Sequence, residues 1–164
     1  MQTIEQRLQA AEATLDIMRL KSRYAGFADG KYTDDHRKKP SEERDRVAWQ
    51  QAECFTEDGE FDAGAYGCVR GRQAIFENFR AKPFIFAMHV FVNPAIDVDP
   101  SGDTASGRWV HHLFITQDDT RTPVHGLGYT QDLYRRVDGH WLFSRVETRF
   151  KFLVPFTQPW SPAG

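Results

Sequence analysis

The stretch YRRVDGHWLF, residues 134–143, decides the class of fold. Asp138 and Gly139 both tolerate the positive φ that the favoured two-residue hairpin turn requires, so two antiparallel strands should meet there. PSGD and QDDTRTP are turn-like sequences further upstream, and they separate strand-like runs of the same kind. The second half of the chain is therefore predicted to be a four-stranded antiparallel meander, with strands at residues 86–98, 104–117, 124–137 and 140–153.

The first half has helical periodicity instead. Thr3 and Gln6 match a capping box, and the helix that begins there should end at Asp29-Gly30, with Gly30 in the left-handed conformation. Two apolar rows follow this helix, one of Ile4, Leu8, Ala11, Leu15 and Met18, the other of Ile17, Leu20, Tyr24 and Phe27. Since the rows are adjacent, the later half of the helix should be buried.

The sequence also predicts a second helix that begins at Ser41, a short strand at residues 59–63 and a third helix at residues 71–80. Helices that precede strands favour an α+β fold, in which the helices cover one face of a curved, mainly antiparallel sheet.

The composition of the chain argues against some classes of function. The chain has 164 residues, and its net charge is −2 without a sustained basic stripe, which argues against nucleic acid and anionic membranes as partners. We expect one domain, residues 1–164. Cys54 and Cys68 lack the spacing of a redox or zinc motif, and the amino terminus lacks the pattern of a signal peptide. These features favour a cytoplasmic protein.

FAMHVFVNP, residues 86–94, raises the question of a pocket. In an extended strand His89, Phe91 and Asn93 share one face, which is either solvated or the wall of a cavity. A sheet curved around a helix leaves an apolar cavity between the two. The polar groups that could point into it are Tyr24, Asp29, His89, Asn93, Arg149 and one of His111 and His112.

An imidazole can move a proton near neutral pH if a carboxylate holds it in the right tautomer, and Asp29 could do so for His89. The alternative is a core histidine bonded to a backbone carbonyl, and residue types alone leave both open. His111 and His112 must face opposite ways in a strand, and we favour His111 for the cavity. Tyr24 and Arg149 also have simpler interpretations, as a packing residue and as an ion-pair partner of Glu147.

Metals and nucleotides are not predicted. A metal site would require His89, His125 and one of the neighbouring histidines to converge. The expected hairpin register places His89 opposite residues 114–115 and His111 near Tyr129, which separates the histidines by several residues. No glycine-rich phosphate loop or nucleophile elbow is present in the sequence.

The order of elements, the helix GRQAIFENF after a short strand, the YRRVDGHW hairpin, and the combination of FADGK with MHVFVN resemble the SnoaL-like branch of the nuclear transport factor 2-like superfamily. The resemblance covers nearly the whole chain and extends to lindane dehydrochlorinase, bile-acid 7α-dehydratase and scytalone dehydratase. It implies a cone-shaped α+β barrel with a deep cavity. It also implies a cofactor-free lyase or isomerase that acts on a hydrophobic, cyclic small molecule; a noncatalytic ligand carrier or small dioxygenase-type subunit of the same fold is the alternative.

The resemblance also assigns residues. The aspartate and histidine of the dehydrochlorinase dyad fall on Asp29 and His89, the helix tyrosine of the dehydratases on Tyr24, and, after a small shift, the late arginine of the bile-acid enzyme on Arg149. We expect the substrate to contact Phe27, Tyr32, Phe91, Asn93, Trp109, His111 and Leu113. A dimer or trimer is implied as well, with the tail FKFLVPFTQPW capping the cavity or packing between subunits.

Overall fold

The computed structural model describes residues 3–156, except the side chain of Ala65. Its helices are α1 (Ile4–Asp29), α2 (Ser41–Ala52) and α3 (Arg72–Arg80). Its strands are β1 (Phe55–Asp62), β2 (Cys68–Arg70), β3 (Phe84–Val98), β4 (Thr104–Gln117), β5 (Pro123–Val137) and β6 (His140–Pro155). The α+β prediction is confirmed, and β2 and a short 3₁₀ helix, Gly64–Tyr66, have no counterpart in the sequence-based prediction. The last four residues of the tail FKFLVPFTQPW lie outside the described residues.

The six strands form one sheet in the order β2-β1-β6-β5-β4-β3. The meander of β3 to β6 is antiparallel as predicted, whereas β1 lies parallel to β6. Over residues 3–156 the sheet stays open, with β2 and β3 at its edges. Asp138 and Gly139 adopt φ of 48° and 81°, the paired positive values that the hairpin turn between β5 and β6 requires.

Helix α1 begins as predicted and ends for a different reason. Thr3 and Gln6 exchange the two hydrogen bonds of a capping box, at 2.9 and 3.1 Å. Gly30 has φ −64° and is right-handed, so the prediction of a left-handed cap was wrong. A glycine is needed there because a Cβ would lie 2.9 Å from the carbonyl oxygen of Gly26.

The buried face of α1 is formed by the second of its two apolar rows. Ile17, Leu20 and Tyr24 are buried, and the helix packs on β3 and β6. Residues of the first row remain in solvent, with Ile4 83% and Leu8 59% exposed. Each fully buried side chain of this size contributes about 1.5 to 3 kcal/mol through the hydrophobic effect, so the second row fixes how the helix lies on the sheet.

A charged pair lies inside this core. Lys21 of α1 places its ammonium 2.7 Å from the Asp132 carboxylate of β5 and 3.0 Å from the Thr130 hydroxyl, and both charged side chains are fully buried. A buried charge without a partner is strongly unfavourable, so the pair fixes α1 on the sheet in one position.

Among residues 3–156, no helix combines the length and the hydropathy of a membrane span.

Candidate active site

Asp29 and His89 form a closely bonded pair. Asp29 is the last residue of α1, and its Oδ1 lies 2.7 Å from Nδ1 of His89 in β3. The backbone N–H of His89 also donates to both carboxylate oxygens, at 3.1 Å each. Because a carboxylate accepts hydrogen bonds, this geometry places the ring proton of a neutral His89 on Nδ1 and leaves Nε2 as the basic nitrogen.

Beside this pair lies a cavity of about 50 Å³, which is lined mainly by residues of the sheet and, from the helices, by Tyr24 of α1. Five residues expected at the site line it, namely Tyr24, His89, Phe91, His111 and Leu113. Eight others were not predicted: Phe61, Ala63, Tyr66, Lys82, Thr130, Val146, Thr148 and Phe150. Alternation along β5 could have indicated Thr130, but a bulge in β6 interrupts the alternation before Thr148, and Lys82 precedes its strand and carries no such signal.

The cavity is smaller than a deep substrate cavity. Ligand sites typically enclose about 300 to 1,000 Å³, several times the observed volume. Aromatic rings take up the space: Phe61, Tyr66, Phe91 and Phe150 all face the cavity. A ring-sized substrate would enter only after some of these side chains rotate.

His111 is the least satisfied polar group at the site. Its side chain is 4% exposed, and neither ring nitrogen has a hydrogen-bond partner among the described residues. The ring lies parallel to that of His89, with centroids 5.7 Å apart, and 4.5 Å from that of Phe91. Burial, assisted by the charges of His89 and Lys21, holds the pKa of His111 well below its usual value. The neutral ring offers one donor and one acceptor to a ligand.

The four histidines of strands β3, β4 and β5 lie on two opposite faces of the sheet, with His89 and His111 on the face that lines the cavity. His112 and His125 lie together on the opposite face, with ring nitrogens 3.3 Å apart. The expected register was wrong by about one residue, since His89 pairs with Leu113 and His111 with Gly128. A bulge in β3 between Val92 and Ala95 accounts for part of this shift, because it adds a residue that simple counting omits.

The same bulge removes Asn93 from the site. Asn93 has φ 51° and is exposed, and it does not line the cavity with His89 and Phe91 as expected. At a bulge the alternation of faces is interrupted, so the shared face ends at Phe91.

Arg149 is also outside the cavity. Its guanidinium binds Asp62 at 3.0 Å and Glu147 at 2.7 Å, which matches the ion-pair interpretation. Its neighbours Thr148 and Phe150 line the cavity instead.

Three expected substrate contacts lie elsewhere in the core. Phe27 packs at the edge of the main apolar cluster, and Tyr32 belongs to a second cluster with Leu113. Trp109 is buried and donates its indole N–H to the Tyr134 hydroxyl at 3.0 Å. None of the three lines the cavity.

Tyr24 faces the cavity as an un-ionised phenol. Burial raises the pKa of Tyr24 far above its usual value, and the negative charge of Asp132 adds to the increase. Its ring packs edge-on against Phe143 at 5.4 Å and Phe55 at 6.0 Å. A neutral phenol in this position can donate a hydrogen bond to a substrate oxygen or leaving group.

Lys82 completes the cavity from the segment between α3 and β3. Its ammonium lies 5.6 Å from the Phe61 ring, and burial lowers the pKa of Lys82 to about 8. The lining residues within the described chain include no carboxylate.

With the geometry established, the comparisons with known proteins place the chain. The sequence profile of the SnoaL-like domain matches residues 43–147. The chain belongs to the SnoaL-like family. Among curated proteins, no sequence matches it significantly.

Solved structures support the SnoaL-like fold along the whole chain. A hexachlorocyclohexane dehydrochlorinase of type 2 is 16% identical and superimposes with a TM-score of 0.80, covering 99% of each chain. A protein from Novosphingobium aromaticivorans designated a scytalone dehydratase is 22% identical, with a TM-score of 0.73 and coverage of 99% and 98%. ActVI-ORFA of Streptomyces coelicolor is 17% identical, with a TM-score of 0.62 and coverage of 84% and 97%. At these identities the likeness shows the fold.

Proposed function

We propose that this SnoaL-like protein is a cofactor-independent lyase, of the dehydratase or dehydrohalogenase type, or an isomerase, acting on a small hydrophobic molecule. The observation that carries the proposal is the 2.7 Å contact between Asp29 and His89 at the edge of an apolar cavity. A carboxylate that fixes the tautomer of an imidazole beside a substrate pocket is the arrangement that general-base catalysis requires.

In the proposed mechanism Nε2 of His89 removes a proton from a substrate carbon. Asp29 stabilises the imidazolium that forms, because its carboxylate already accepts the Nδ1 proton. The electron pair left on carbon then expels hydroxide or halide from the neighbouring carbon, or, in an isomerase, a different carbon takes the proton back from the imidazolium. The imidazolium protonates a departing hydroxide to water, either directly or through the Tyr24 phenol, which then regains its proton from the imidazolium.

The similar structures support two candidate leaving groups. Similarity to a hexachlorocyclohexane dehydrochlorinase supports halide, and similarity to a protein designated a scytalone dehydratase supports water. Both names describe ring compounds, and the apolar lining suits a hydrophobic ring once the aromatic side chains move apart. The cavity volume of about 50 Å³ is the observation that favours a noncatalytic small subunit, whereas a ligand carrier would need the same enlargement of the cavity as an enzyme.

We also propose a cytoplasmic homo-oligomer, either a dimer or a trimer. The free thiols of Cys54 and Cys68 support a reducing compartment. The exposed apolar row of α1, with Ile4, Leu8 and Leu15, supports a protein interface. Light scattering on the purified protein tests the oligomer, and a monomer at all concentrations would contradict it.

The dyad is tested with two probe reactions, chloride release from hexachlorocyclohexane and enone formation from 3-hydroxycyclohexanone. The variants His89→Ala and Asp29→Asn should each lower turnover of the active probe by about 10² to 10⁴-fold. His140→Ala and Asp34→Asn alter exposed residues outside the cavity and serve as controls. If the wild-type protein turns over neither probe, or if the dyad variants match the controls, the proposed mechanism fails.

A further inference from the structure

We propose that Lys82 binds the carbonyl oxygen of the substrate, so that the substrate class of this cavity is an enolisable carbonyl compound with a leaving group at the β carbon. The inference rests on the proposed function and narrows it, because it favours elimination next to a carbonyl over elimination from a halocarbon.

The first support is the charge distribution in the cavity. Of its thirteen lining residues within the described chain, Lys82 alone is a lysine or arginine, and none is acidic. Tyr24 and His111 also face the cavity, and both are neutral there. An anion that forms in this space therefore has Lys82 available to it in addition to the His89 imidazolium that proton removal creates.

The second support is that Lys82, which is partly buried, lacks the partners that the two buried lysines of the described residues have. Lys21 is bonded to Asp132 and Thr130, and Lys31 donates to the amide oxygen of Gln51 at 2.9 Å. Within residues 3–156 no carboxylate forms an ion pair with Lys82, and the nearby Phe61 ring provides one weak cation–π contact. A partly desolvated ammonium without an anion is a group that a ligand can stabilise.

His111 gives an independent indication of an oxygen-bearing ligand. His111 lines the same cavity, and among the described residues neither of its buried ring nitrogens has a hydrogen-bond partner. Buried polar groups are hydrogen-bonded as a rule, so a ligand in this cavity should carry a polar atom as well as apolar surface. A polychlorinated ring has no such atom, whereas a hydroxyketone has two.

The chemistry of proton removal gives Lys82 its role. When Nε2 of His89 takes the α proton, the C–H electron pair moves into the carbonyl group and forms an enolate oxygen. The Lys82 ammonium donates a hydrogen bond to that oxygen without transferring its proton. The enolate then reforms the carbonyl, the C–O bond at the β carbon breaks, and the His89 imidazolium protonates the departing hydroxide. The products are an α,β-unsaturated carbonyl compound and water, and His89 returns to its neutral form.

The experiment measures binding of 4-nitrophenol, whose phenolate resembles an enolate and absorbs visible light only when ionised. The wild-type protein should bind the phenolate, and Lys82→Met should weaken binding by about ten- to a hundredfold, the usual loss of a charge-assisted hydrogen bond. Lys151→Met removes the same charge from an exposed position on β6 and should bind as the wild type does. Lys82→Gln provides a second variant that keeps a polar side chain should Lys82→Met fold poorly.

Two further measurements separate this inference from the dyad. 4-Nitroanisole, which cannot ionise, should bind equally to wild type and Lys82→Met, and His89→Ala should retain phenolate binding. The inference is overturned if wild type does not bind the phenolate, or if both Lys82 variants bind it within twofold of wild type. Faster chloride release from hexachlorocyclohexane than enone formation from 3-hydroxycyclohexanone would overturn the substrate class while leaving the dyad intact.

Discussion

The Asp29 carboxylate holds His89 by two kinds of contact, a ring contact at 2.7 Å and the backbone N–H at 3.1 Å from each oxygen. The two residues are 60 positions apart in the chain. The end of α1 is thereby tied to the middle of β3, and one side chain sets both the position of the strand and the tautomer of the imidazole. Substitution of Asp29 should therefore alter the ring chemistry even where the fold is retained.

The tautomer of His89 is the first prediction. In the wild type the neutral ring should carry its proton on Nδ1, because Asp29 accepts from that nitrogen. In Asp29→Asn the amide can either donate or accept, so the ring should become a mixture of tautomers. Nitrogen-15 NMR of labelled histidine distinguishes the two nitrogens, and the exposed His140 serves as an internal reference. A His89 tautomer that is the same in both proteins would contradict this role.

The second prediction concerns the buried pair of Lys21 and Asp132. Lys21→Met leaves the carboxylate buried without its cation and should lower the free energy of unfolding by about 3 to 5 kcal/mol. Because the double variant Lys21→Met, Asp132→Leu buries no charge, it should be more stable than Lys21→Met alone. Urea unfolding followed by circular dichroism gives both values. If the double variant is less stable than Lys21→Met, this prediction is wrong, and Asp132 stabilises the protein even without the charge of Lys21.

The meander could be predicted because its signals are local, whereas the pairing of Asp29 with His89 was predicted from the family resemblance. The turn at Asp138-Gly139 is specified by two residues, and the alternation around His89 holds until the bulge. The position of Asp29 follows from the end of a helix whose capping box fixes its start. Such signals require no knowledge of distant pairing.

Arg149 shows why other assignments failed. In β6 the odd-numbered Trp141 and Phe143 are buried, and by simple alternation Arg149 would point inward as well. An extra residue at the register shift opposite Leu133 and Tyr134 reverses the alternation, so Val146 and Thr148 point inward instead. Bulges depend on how neighbouring strands twist together, and the sequence of a single strand does not reveal them.

The position of Lys82 at the cavity and the small volume of the cavity could not be predicted from the sequence, for a different reason. Lys82 lies next to Pro83 in a connecting segment, where neither helical nor strand periodicity assigns a direction to the side chain. Volume depends on how large side chains from several elements fill a common space, which composition does not give.

The third prediction uses the hydroxyl of Tyr134, which links two buried groups. It accepts from the Trp109 indole at 3.0 Å and donates to Asp132 at 2.9 Å. Tyr134→Phe keeps the ring but leaves the indole N–H without a partner, so it should lower the free energy of unfolding by about 1 to 3 kcal/mol. Tyr66→Phe, at a partly exposed ring of the cavity, is the matched control and should have a smaller effect. Equal losses in the two variants would contradict a structural role for the link.

The last prediction concerns acid stability and His111. Because burial lowers the pKa of His111 in the folded protein, the unfolded chain binds a proton there more readily as pH falls through about 6.5, the ordinary value of histidine. The folded state stays unprotonated at this site, so His111 makes stability fall with decreasing pH, by at most about 1.4 kcal/mol per pH unit. Above that range both states are neutral at this position, and the contribution disappears.

His111→Phe removes this titration and replaces two unpartnered nitrogens with carbon in a ring stack. We expect the variant to unfold with the same or greater free energy at pH 7.5 and to lose less stability than the wild type between pH 7 and pH 5. His140→Phe, at an exposed position, should keep the slope of the wild type. Urea unfolding at each pH gives the comparison, and a His111→Phe slope equal to that of the wild type would show that this imidazole is protonated in the folded protein or paired by a ligand.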